Sequence, residues 1–141
     1  MSDSRPDVLA TAPVAGAVGA LRTIGAPPRL LSANAIHGDA VLSLGGRALG
    51  TVDDLLLDLG AARIVYAVVS SGGFMGRGER LSAVPWLALR RDPDRHCFVL
   101  TVEADTFDAA PSYDRSSWPS RFDARWHQQL HSLYGLSPHW A

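Results

Sequence analysis

The chain has 141 residues, of which 47% are hydrophobic and 19% charged, and its formal net charge is -1. This size fits one modest domain with appended segments, and the near-neutral charge argues against a general nucleic-acid or anionic-membrane binder. All thirteen basic residues are arginine and the one cysteine is Cys97, so lysine chemistry and an internal disulfide are excluded, and a cytoplasmic location is expected.

Residues 1–29 are rich in Ala, Pro, Gly and Ser and end in Pro27-Pro28, which predicts a flexible N-terminal tail. Asp7 and Pro13 argue against a signal peptide. No stretch reaches the roughly twenty continuous apolar residues of a membrane-spanning helix, so we expect a soluble protein without a membrane span.

Residues 30–103 have the pattern of a small β domain. Strands are predicted over residues 40–44, 49–59, 62–71, 80–84 and 96–102. Gly45-Gly46 predicts a hairpin turn between the first two, and residues 87–91 are predicted to form a turn. Five or six short strands in about seventy residues indicate a mainly β fold, a small closed barrel.

The third strand is apolar on both faces. Ile64, Tyr66 and Val68 occupy one face, whereas Val65, Ala67 and Val69 occupy the other. A strand with one face in water should alternate apolar and polar residues, so something must cover the second face. We predict that Val65 and Val69 point outward and contribute to a partner surface.

Residues 104–141 are predicted to form a C-terminal extension with one helix, at about residues 123–134. Asp123 can cap its first turn, Trp126 and Leu130 begin an apolar stripe at helical spacing, and Gly135 can end it. The stripe needs a docking surface, which can be the chain's own barrel or a neighbouring subunit.

In this order the chain resembles the PRC-barrel family, named for the cytoplasmic part of the photosynthetic reaction centre H subunit and shared with a ribosome maturation factor. The resemblance covers about residues 33–140. It is carried by Gly50, Asp53 and Asp58, the run 63–69, Gly72-Gly73-Phe74-Met75-Gly76, Val84-Pro85-Trp86, and a tail like that of stand-alone bacterial members. It implies a small PRC-type β-barrel used for interaction or assembly, generally without catalytic residues.

His127 and His131 stand four residues apart on the predicted helix, one turn after Asp123, and are the candidates for a metal site. Packing or surface histidines are the favoured interpretation, and we expect no metal and no cofactor. No nucleophile, base and oxyanion donor can be assembled from the spacing, so we expect no enzyme.

The glycine loop at residues 72–78 lacks the GxGxxG and GK[ST] patterns of phosphate-binding loops, so a tight connection is favoured. Phe74 and Met75 at its tip are apolar residues in an exposed position, which indicates a partner surface.

Five arginines offer an alternative function, an RNA or ribosome-assembly accessory protein with a phosphate-binding patch. They are Arg77, Arg80, Arg90, Arg91 and Arg95. Glu79, Asp92 and Asp94 dilute their field, so a solvated charged surface is favoured and a nucleic-acid partner is not expected.

The leading hypothesis is a non-enzymatic interaction or assembly module that forms a homo-oligomer, a dimer or larger, and can have a further protein partner. Its predicted partner-binding residues are Val65, Val69, Phe74, Met75, Trp86, Trp118, Trp126 and Trp140. The tail tryptophans are expected to bury area against the barrel or a neighbouring subunit.

Overall fold

The computed structural model describes residues 27–72, 78–118 and 122–137. The chain divides into two units, Met1–Leu31 and Ser32–Ala141. Within the first unit, the described residues 27–31 carry no regular secondary structure. The predicted flexible tail otherwise lies outside the described residues, and every element below belongs to the second unit.

Six strands form one curled sheet, a half-barrel. They are β1 (Ala40–Leu42), β2 (Ala48–Asp58), β3 (Arg63–Ser71), β4 (Arg80–Pro85), β5 (Leu89–Asp92) and β6 (Cys97–Leu100). Their spatial order is β4-β3-β2-β1-β6-β5, and all neighbours are antiparallel except β1 and β6. The prediction of a mainly β fold with five or six short strands is confirmed, whereas the predicted closure is not, because β4 and β5 are the two edges of the sheet.

The predicted turn over residues 87–91 is wrong in its second half. A 3-10 helix covers Trp86–Ala88, and the chain then enters β5, which pairs antiparallel with β6. The adjacent Arg90 and Arg91 hide the apolar alternation that would identify a strand. Only pairing at the sheet edge, with Leu89 opposite Leu100, makes this segment extended.

Strand β3 lies between the edge strand β4 and strand β2. Tyr66, Ala67, Val68 and Val69 are all buried, so both faces of the strand are covered, as its sequence predicts. Val69 lies in the hydrophobic core together with Val52 and Val84. The prediction that Val69 faces a partner is therefore wrong, because the chain's own core covers it completely.

Close packing of the backbones of β2 and β3 requires glycine at position 50. A Cβ at Gly50 would collide with the carbonyl oxygen of Ser70 and would lie 2.8 Å from Val69 Cγ1. Only glycine lets β2 approach β3 this closely. The predicted hairpin turn at Gly45-Gly46 is also present, where Gly46 has φ +92° and donates a hydrogen bond to the carbonyl of Ser43.

The C-terminal helix spans Ala124–Leu133, close to the predicted residues 123–134. Asp123 caps it by accepting a 2.9 Å hydrogen bond from the Trp126 amide. Gly135, at φ +71°, and Leu136 close its end through hydrogen bonds to carbonyls of the last turn. Two further helices, Ala33–Ile36 and Ala104–Ala109, have no counterpart in the sequence prediction, because each is too short to show a periodic pattern.

The C-terminal extension packs on the barrel of its own chain. Tyr113 forms an antiparallel bridge with Leu81 at the edge strand β4, with hydrogen bonds of 2.8 and 2.9 Å. Leu130 and Tyr134 of the helical region lie in the same buried cluster as Tyr66. The sequence left open whether the extension docks on the chain's own barrel or on a neighbouring subunit. In the structure it docks on the chain's own barrel.

Candidate docking groove and its surroundings

An apolar groove of about 470 Å³ lies between the β2–β3 hairpin and the C-terminal helix. We call it the hairpin groove. It is lined by Leu55, Leu56, Leu57, Asp58, Leu59, Val65, Tyr66, Phe122, Trp126 and His127. Leu57 is 55% exposed, Leu59 83% and Phe122 41%, so the groove and its rim present apolar surface to water.

The pairing of β2 with β3 is irregular beside these leucines. Leu56 lies opposite Tyr66 and Leu57 opposite Ile64, so Val65 of β3 is the extra residue, the pattern of a bulge. Leu55 and Leu56 are half-buried against the core, whereas Leu57 projects into solvent. The turn beyond is held by Asp58, whose Oδ1 accepts a 3.0 Å hydrogen bond from the amide of Ala61.

The inner wall of the groove joins sheet and helix through a buried polar contact. Tyr66 Oη lies 2.7 Å from His131 Nδ1 and within hydrogen-bonding distance of His127 Nδ1. His131 Nδ1 also lies 3.1 Å from the carbonyl oxygen of His127, which can only accept, so this nitrogen carries a proton. Tyr66 then accepts from His131 and donates to His127.

Burial keeps the tyrosine of this contact protonated. Tyr66 is 2% and His131 4% exposed. Desolvation raises the pKa of Tyr66 well above its ordinary value, because the charged phenolate would lose its hydration. The hydroxyl therefore acts as a neutral hydrogen-bonding link between β3 and the C-terminal helix.

The three metal candidates have other roles. Asp123 is used as the helix cap, and His127 and His131 both direct Nδ1 to the Tyr66 hydroxyl. Within residues 27–72, 78–118 and 122–137, no three His, Cys, Asp or Glu side chains form a group suited to a metal ion. His127 and His131 do lie one helical turn apart, but the Nδ1 atoms of both rings take part in hydrogen bonds with Tyr66.

Aromatic rings run in a row from the edge of β4 to the groove. Tyr113 packs on Trp118, Trp118 on Phe122 and Phe122 on Trp126, with centroid distances of 5.7, 5.8 and 5.0 Å. Trp126 then meets Tyr66 edge-on at 5.3 Å. Contacts of this geometry stabilise beyond the area they bury, so the row fixes the extension against the sheet.

Charged side chains also attach the C-terminal extension to the sheet. Arg115 pairs with Asp53 at 3.0 Å and with Glu79 at 3.1 Å. Ser70 donates a 2.6 Å hydrogen bond to Glu79. Hydrogen bonds from Arg115 and then from Ser70 hold the pKa of Glu79 below its ordinary value.

Apart from Val69, which lies in the core, the predicted partner residues divide into three groups. Val65 and Trp126 line the hairpin groove. Trp86 packs on Phe98 and Trp118 belongs to the aromatic row, both half-buried within the chain. Phe74, Met75 and Trp140 lie outside the described residues. The sequence analysis missed Leu57, Leu59 and Phe122 as surface residues, although the leucine run of β2 could have indicated them.

The arginine patch is not present as a set of unpaired cations. Arg80 pairs with Asp114 at 2.8 Å, Arg91 with Asp39 at 3.3 Å, and Arg95 with Asp92 at 3.0 Å. Arg77 lies outside the described residues. With three of the predicted arginines engaged by carboxylates, little positive charge is left to attract phosphate.

Among the described residues, no helix is long and apolar enough to cross a membrane. A family model for the PRC-barrel domain matches residues 28–106, which is more than half of the chain. The match includes the whole six-stranded sheet. No match was found among curated proteins.

Proposed function

Because the chain belongs to the PRC-barrel family, we propose that it is a non-enzymatic interaction module that associates with copies of itself in the cytoplasm. PRC-barrel domains generally serve in protein interaction and assembly. The observation that carries the proposal is the hairpin groove, an apolar surface left open beside an otherwise covered sheet.

The cost of this surface supports an interaction role. Apolar area left in water costs about 25 cal/mol per Å², and burying one leucine side chain stabilises by roughly 2 kcal/mol. Leu57 and Leu59 lie side by side on one hairpin and forgo much of that stabilisation in the isolated chain. Association that covers them would recover it.

The chemistry of the buried polar groups supports a role without catalysis. Tyr66, His127 and His131 hold the helix to the sheet, and Glu79 is paired with Arg115. These groups form hydrogen bonds or ion pairs with one another within the chain. Cys97 is free and buried, as expected for a thiol in a reducing compartment.

The test is the mass of the full chain in solution. Sedimentation equilibrium across the micromolar range should give a mass at least twice that of a single chain, decreasing on dilution. A chain that remains monomeric at the highest concentration would contradict self-association.

A further inference from the structure

We propose that two copies of this chain pair by reciprocal insertion, with the β2–β3 turn of each copy seated in the hairpin groove of the other. This arrangement rests on the proposed self-association and specifies the surface through which it occurs. The juxtaposition that carries it is a projecting apolar turn directly beside an apolar groove.

The projecting part is Leu59 with Leu57. Leu59 directly follows β2 and is 83% exposed, the most exposed large apolar side chain among the described residues of the second unit. It borders the receiving part, the groove that Val65, Phe122 and Trp126 also line. One surface therefore contains both a projection and a depression.

Twofold pairing requires this combination. In an isologous dimer the same patch meets itself, so it has to be complementary to its own copy. A twofold axis beside the turn would place each Leu59 in the other copy's groove and close both contacts at once. A second hairpin would cover the groove and the exposed side chain of Leu59 together.

The charges of this surface also suit a second copy. Asp58 and Arg63 are paired across the last position of the β2–β3 ladder, so the end of the hairpin carries both signs. In a twofold pair, Asp58 of one copy can therefore meet Arg63 of the other. The net charge of -1 adds little repulsion between copies.

The turn is prepared for insertion. Its backbone is held by the hydrogen bond from Ala61 to Asp58, and Ala62 adopts a left-handed conformation at φ +55°. A turn that is already ordered loses little conformational entropy when it is bound. Insertion would therefore need no rearrangement of the hairpin.

The first experiment compares Leu59→Asp with Leu87→Asp in the full chain by sedimentation equilibrium. Leu87 is 66% exposed and does not line the groove, which makes it a matched control. Leu59→Asp should weaken association by about 30-fold or more, as for a residue central to an interface, and Leu87→Asp should leave it unchanged. Circular dichroism should show that both variants are folded.

The second experiment uses disulfide capture between two different chains. A Leu59→Cys chain is mixed with a Phe122→Cys chain under mild oxidation, while Cys97 is shielded by burial. A mixed disulfide dimer should form, and a mixture of Leu87→Cys with Phe122→Cys should give none. Using separate chains excludes a bond within one molecule.

The outcomes separate this arrangement from the proposed function. If the wild-type chain associates but Leu59→Asp keeps the wild-type mass, or the mixed disulfide is no more frequent than in the control, reciprocal insertion is overturned and self-association stands. A wild-type monomer overturns both. A monomer whose Leu59→Cys thiol is protected from maleimide means that another segment of the same chain covers the groove, and it also overturns the arrangement.

Discussion

Two buried tyrosines differ in one respect that mutation can measure. Tyr66 is 2% exposed, and its hydroxyl links to both His127 and His131. Tyr134 is 5% exposed, and its hydroxyl has no hydrogen-bond partner among the described residues. Replacing each with phenylalanine removes the same oxygen atom from two similarly buried rings.

The expected free energies of unfolding differ in size. Tyr66→Phe removes the hydroxyl that both His127 Nδ1 and His131 Nδ1 meet. A buried polar group left unsatisfied costs about 1–3 kcal/mol, so we expect a loss of about 2 kcal/mol. Tyr134→Phe removes a hydroxyl that is buried without compensation, so it should be neutral or stabilising.

Urea unfolding followed by tryptophan fluorescence gives both values. With a slope of about 2 kcal/mol per molar urea, Tyr66→Phe should lower the midpoint by about 1 M, whereas Tyr134→Phe should leave it in place or raise it. If the two variants lose equal stability, or Tyr66→Phe loses none, the hydrogen-bonded link between β3 and the C-terminal helix has been misjudged. Unchanged slopes would show that both variants unfold from the same compact state.

Three further changes test other contacts by the same unfolding measurement. Gly50→Ala should destabilise the fold strongly, because its Cβ would lie 2.8 Å from a valine side chain of β3. Gly45→Ala is the control, because the nearest atom to its Cβ is 3.9 Å away and its unfolding midpoint should not change. Similar midpoints for the two variants would refute this reasoning. Hydrogen bonds hold the pKa of Glu79 below 4.5, so its stabilisation is complete above that pH and is lost as the pH falls through the folded value. Glu79→Gln should therefore remove part of the acid dependence, Glu103→Gln should not, and identical pH curves would contradict the pairing. Asp123→Ala should cost about 1 kcal/mol by removing the helix cap, and an unchanged midpoint would show that the cap contributes nothing.

Local patterns predicted the parts of the fold that depend on local physics. The Gly45-Gly46 turn and the C-terminal helix were placed to within a residue or two, because turn chemistry and apolar periodicity act over a few residues. The need to cover both faces of β3 could be predicted as well. What covers each face could not, since alternation separates two faces without showing what packs on them, and Val69, predicted to face a partner, lies in the chain's own core.

The contacts that shape the site depend on residues far apart in the chain. Tyr66 meets histidines that lie 61 and 65 positions later, and Arg115 meets Asp53 across 62 positions. No local pattern encodes such pairs. The His127 and His131 spacing was visible and made them metal candidates beside the favoured interpretation of packing or surface histidines. Their shared partner on β3, the Tyr66 hydroxyl, could not be predicted.

The aromatic row of the C-terminal extension also decides how short a working version of this protein can be. The family match stops at residue 106, yet the aromatic row begins at Tyr113 and reaches Tyr66 only through Trp126. A recombinant fragment that ends at the boundary of the family match would expose the apolar surface of the sheet and would be prone to aggregate. The domain boundary given by the family match and the boundary required by side-chain packing therefore differ by the entire C-terminal extension. Expression of a shortened protein should follow the second boundary.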